Sequence, residues 1–142
     1  MTDTIRTTVP IDDTPAARWP NLLHVCRDTT PGVHETGSDE IFWWLPVLGP
    51  PASVLAHTLA RTTSPAGTTW DTGDLARRIG LAGNQPKLWH SLNRLDRFGA
   101  ARFHATDVLT IRMSLPALGD RHLERLPADM ATAYLDTRRL AS

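Results

Sequence analysis

The chain has 142 residues, 41% hydrophobic and 21% charged, a globular composition that argues against a disordered or fibrous protein and allows one domain of about 100 residues with a tail. Its longest apolar run, Ile41 to Leu48, is too short to span a bilayer, and no basic-then-apolar leader opens the chain, so a soluble, cytoplasmic protein without a membrane partner is expected. The formal net charge is zero, yet residues 1–40 carry three Arg against seven Asp/Glu, while residues 70–142 carry eleven Lys/Arg against eight Asp/Glu; a polyanion would meet the second half.

Residues 1–40 hold Pro10, Pro15, Pro20 and Pro31 and few apolar side chains, which predicts an acidic, irregular, loosely packed arm. Within it, Trp19, Leu22 and Leu23 are the anchors on offer. Periodic apolar positions begin at Ile41, so the core is expected over 41–116 and to survive loss of the arm. After Gly49-Pro50-Pro51, prolines suited to a first helical turn lead into a helix reaching about Arg61. A loop over 62–69 precedes a second helix, capped by Asp71 or Thr72, with Leu75, Ala76 and Ile79 inward and Gly80 at its C-terminal cap. Asn84 or Gln85 caps a third helix, residues 84–98, whose Leu88, Leu92, Leu95 and Gly99 form one stripe.

Helical period stops there. Residues 100–104 and 108–115 read as a β-hairpin around Ala105-Thr106-Asp107, with Leu109, Ile111, Met113 and Leu115 alternating. Beyond Pro116, residues 117–142 return to helix. The fold class expected is mainly α with a small β-hairpin (α+β).

The series Trp70-x4-Leu75-Ala76-Arg77-Arg78-Ile79-Gly80-Leu81, then Leu88-x3-Leu92-Asn93-Arg94-Leu95-x2-Phe98-Gly99-Ala100-Ala101, then the run ending at Leu115-Pro116 resembles the winged helix-turn-helix of bacterial regulators, of the small actinobacterial MarR/ArsR-like type. The likeness covers residues 41–127 and implies a DNA-binding transcriptional regulator with helix 84–98 in the major groove.

The chemistry of that helix is legible without the family. Arg pairs bidentately with guanine, Gln with adenine, and Lys reaches phosphate, so Gln85, Lys87, Ser91 and Arg94 are the expected readers. His90 and Arg97 share the outward faces, while Arg77, Arg78 and Arg102 suit backbone phosphates. The bland alternatives are solvated arginines, or cations complementing helix C-termini. Trp89 neighbours the buried stripe and reads as core. The hairpin turn carries Asp107 rather than a cation, so only a minor contribution is expected from it.

A different class of function also fits: a protein interaction module using Trp43, Trp44, Trp70 and Trp89 with the acidic arm. A homodimer is expected through residues 127–140, with Met130, Tyr134 and Leu135 as its stripe. Other chemistry is set aside. The spacing His24-x-Cys26-x7-His34 matches no zinc pattern, and Ser53 with His57 lacks the turn of a nucleophile elbow. No enzyme activity, metal or cofactor is expected, and Cys26 has no partner for an internal disulfide.

Overall fold

The computed structural model describes residues 19–141. In chain order it contains β1 (Leu22–Asp28), β2 (His34–Glu35), a 3-10 helix (Asp39–Trp43), α1 (Leu45–Leu48), α2 (Pro50–Thr62), β3 (Thr68–Asp71), α3 (Thr72–Arg78), α4 (Gln85–Arg97), β4 (Ala101–Ala105), β5 (Val108–Arg112), β6 (Ser114–Leu115), α5 (Asp120–Leu123) and α6 (Ala128–Ala141). The fold is mixed, with more helix than strand, and α+β describes it.

The sheet is larger than the expected hairpin. Four strands run in the order β3-β1-β5-β4, and β2 pairs with β6 in a second, two-stranded sheet. Strand β1 lies antiparallel to β3 and parallel to β5, with Leu23 opposite Trp70 and Val25 opposite Leu109. It alternates as a half-buried strand must: Leu23 and Val25 are fully buried, while Leu22, His24 and Cys26 are exposed. The reading of 1–40 as an irregular arm is therefore corrected from Leu22 onward; residues 1–18 lie outside those described. Two inward side chains between prolines carry too short a period to announce a strand, and pairing on both edges supplies what the sequence pattern lacks.

Helices cover one face of the sheet. Leu23, Val25, Leu109 and Ile111 form a common core with Leu55 and Leu59 of α2, Leu75 of α3, and Leu88, Leu92 and Leu95 of α4. At the end of β1, the Asp28 carboxyl is held below the usual carboxylate range by the Thr30 hydroxyl, then by the Thr30 N–H and by Arg112 and Arg102, against the opposing effect of burial. A depressed carboxylate pKa stabilises above the unfolded value and loses that contribution as pH falls through the folded one. Asp28→Asn should thus flatten the acid limb of a stability-versus-pH curve.

The C-terminal helix packs on its own chain. Tyr134 is 2% exposed, and its hydroxyl accepts from Leu118 N at 2.9 Å and meets His34 Nε2 at 2.8 Å. His34 Nδ1 lies 2.7 Å from Glu40 Oε1, and Trp43 packs edge-on against the Tyr134 ring. Tyr134 is therefore core, which corrects its place in the expected dimer stripe; Leu135 and Leu140 are the exposed apolar side chains of α6. Among the described residues, no helix is long and apolar enough to cross a membrane.

Candidate nucleic-acid interface

Helices α3 and α4 are joined by a turn that the sequence specifies closely. The Asp71 carboxylate caps α3 by accepting from Asp74 N at 3.0 Å. After Arg78 the chain reverses through Gly80, at φ +84°, and Leu81 N donates back to Ala76 O at 2.8 Å. Asn84 then caps α4, its side-chain oxygen accepting from Lys87 N at 3.1 Å. Leu88, Leu92 and Leu95 are wholly buried, which fixes the rotation of α4 about its axis.

That rotation sorts the expected readers. Ser91 is 4% exposed and its hydroxyl donates to Lys87 O. Gln85 is half-buried: Nε2 donates to Thr72 Oγ1 at 3.1 Å and Oε1 accepts from Trp89 Nε1 at 3.2 Å. Arg94 turns back on its own fold, donating from Nε to Leu48 O at 2.5 Å and from Nη2 to Val47 O at 2.8 Å, with its guanidinium 5.0 Å from the Phe98 ring centre. These three assignments as base readers are corrected. Each side chain flanks the buried stripe, near enough to the body of the protein to find a partner there.

Lys87, His90 and Arg97 are exposed, as expected of contact residues. Asn93, which the sequence reading passed over, is exposed with them. His90, Asn93 and Arg97 stand at i, i+3 and i+7, opposite the leucine stripe; that spacing was the available signal. None of these four side chains forms a hydrogen bond or ion pair among the described residues.

The remaining arginines divide. Arg77 is exposed and pairs with Asp74 of its own helix; Arg78 is exposed and lies 5.2 Å over the Trp70 ring. Both sit at the end of α3, one turn before α4. Arg102, on β4, instead borders a cleft of about 390 Å³ with Asp28, Asp96 and Arg112, so it does not join the outward row of α4. The hairpin turn, residues 105–107, has no cation.

The tryptophans do not make a binding surface. Trp44 is 1% and Trp89 4% exposed, Trp89 stacks on Phe103 at 5.9 Å, Trp43 packs on Tyr134 and Trp70 lies beneath Arg78. The Trp-rich surface offered for a protein partner is thereby corrected. His24 and Cys26 face outward from β1, whereas His34 is buried with Tyr134, so the three do not converge.

Arg94→Ala tests the corrected role. It removes two charge-assisted hydrogen bonds that close the C-terminal carbonyls of α1, and a cost of about 2–3 kcal/mol is expected in urea unfolding. Arg97→Ala, on the open face, should stay within about 0.5 kcal/mol of the parent.

No family model, curated protein or solved structure matches this chain.

Proposed function

We propose that the chain is a DNA-binding transcriptional regulator that lays α4 in the major groove of double-stranded DNA. The observation that carries this reading is the row Lys87, His90, Asn93 and Arg97: four polar side chains without partners among the described residues, opposite a fully buried stripe, on a 13-residue helix behind a tight turn. A groove-binding helix needs one face committed to its own domain and the other presenting donors and acceptors. Arg77 and Arg78 suit phosphates beside the groove.

The order α2, β3, α3, α4, β4, β5 supports a winged helix-turn-helix, in a form where β1 enters the sheet between β3 and β5. Its wing has no cation at the tip, so contacts concentrate on α3 and α4. Such a short reading surface gains specificity from two copies on adjacent half-sites, and the exposed Leu135 and Leu140 of α6 are the apolar side chains that could join them. For a bacterial regulator, the kind of protein the sequence resembles, the proposed site of action is the cytoplasm.

Titration with random-sequence duplex DNA over a series of salt concentrations tests the reading. Counterion release should make affinity fall steeply with salt, and Lys87→Ala and Arg78→Ala should each lower the slope by about one where they touch phosphate. Asn93→Ala should cost about 1–3 kcal/mol on a selected site and relax its base preference. Ser91→Ala should leave DNA affinity unchanged. Absence of salt-dependent binding to any duplex would overturn the proposal.

A further inference from the structure

Beside the N-terminal end of α4 lies a mostly apolar hollow, walled by Pro51 of α2, Leu81 of the turn, and Pro86, Lys87, His90 and Ser91 of α4. Pro51, Pro86, Lys87 and His90 are exposed, and Leu81 is half-buried. Pro86 and His90 stand at i and i+4 and continue the outward line of Asn93 and Arg97 at helical spacing. The hollow therefore opens at one end of the row proposed to meet DNA, and Lys87 and His90 belong to both.

Two observations narrow what the hollow can take. Its apolar wall is made of two proline rings and a leucine side chain, and a proline nitrogen donates nothing from the backbone either. Ser91 adds no free donor, since its hydroxyl donates to Lys87 O at 2.9 Å. The lining also holds a lysine and no carboxylate, which suits a polyanion. The two clefts farther along α4 both include Asp96 and would repel one.

What a DNA duplex can set against such a wall is limited. The major-groove edges carry N7 and O6 of guanine, N7 and the N6 amino group of adenine, the N4 amino group of cytosine, and O4 and the C5-methyl of thymine, so the methyl is the one apolar group on offer. A cytosine or adenine amino group placed against proline and leucine would lose water and gain no acceptor. We propose that the hollow of Pro51, Leu81 and Pro86 receives the C5-methyl group of thymine and makes the chain prefer thymine at one position of its site. The inference rests on the DNA reading above and adds to it a base chosen by apolar contact.

The test uses the full chain and a site selected from random duplex DNA, with each thymine replaced in turn by deoxyuridine, which keeps the pairing edge and O4 and lacks only the methyl. Loss of the methyl that meets the hollow should weaken binding about fourfold, the worth of one buried methyl group. The salt slope should stay as it was, because no phosphate contact changes. At the same position 5-methylcytosine should bind about fourfold tighter than cytosine. Pro51→Ser and Leu81→Ala should each bring the thymine-to-uracil ratio close to one, while Asn93→Ala keeps it. Pro51 is exposed, so its variant answers the question even where Leu81→Ala lowers the melting temperature. Salt-dependent binding with equal affinity for thymine and uracil at every position would overturn the methyl contact and leave the DNA reading standing. A thymine preference that both wall variants retain would place the methyl elsewhere and overturn it too. Absence of salt-dependent binding to any duplex would overturn the DNA reading and this inference with it.

Discussion

Removal of residues 1–40 is expected to abolish cooperative unfolding. The deletion takes away β1, which pairs with β3 on one side and β5 on the other, so β3 loses its partner and the four-stranded sheet is cut in two. It also removes the fully buried Leu23 and Val25, each worth about 1.5–3 kcal/mol of burial, and His34, which bonds the Tyr134 hydroxyl. Domains of ordinary size are stable by about 5–15 kcal/mol in total, and these losses consume most of that. Circular dichroism of the truncated chain should show no sigmoidal melt. A milder change separates the strand from mere chain length: Leu23→Ala in the full chain should cost about 2–5 kcal/mol through the cavity it opens. A truncated chain that melts cooperatively near the parent temperature would return β1 to the status of an appendage.

That prediction marks where the sequence stops being legible. The helix pair was readable because its signals are local: Asp71 and Asn84 cap, Gly80 takes the left-handed conformation, and Leu88, Leu92 and Leu95 repeat at helical spacing. Strand β1 was not, since its partners lie some forty and eighty residues away and its own alternation spans only Leu23 and Val25. The site divides in the same way. Helical spacing shows which side chains leave the core, and so picks out Lys87, His90 and Arg97. It does not show which flanking side chains find carbonyls on another element, as Arg94 does at Val47 and Leu48.

Tyr134→Phe is expected to destabilise the fold by about 1–3 kcal/mol, the usual cost of leaving a buried polar group unpaired. The phenol hydroxyl accepts from Leu118 N, which leaves its proton free for His34 Nε2; His34 Nδ1–H then donates to the Glu40 carboxylate. This direction of donation satisfies every group in the chain, because a carboxylate and an N–H each permit only one role. Phenylalanine keeps the ring against Trp43 but orphans the Leu118 N–H and His34 Nε2 together, joining the costs of two elements far apart in sequence. Tyr134→Ala adds a cavity and should lose about 3–5 kcal/mol. Urea unfolding with an unchanged slope against denaturant would report stability alone, and sedimentation of Tyr134→Phe should match the parent, since its hydroxyl faces inward. Parent-like stability with altered association would instead place Tyr134 at an interface between copies.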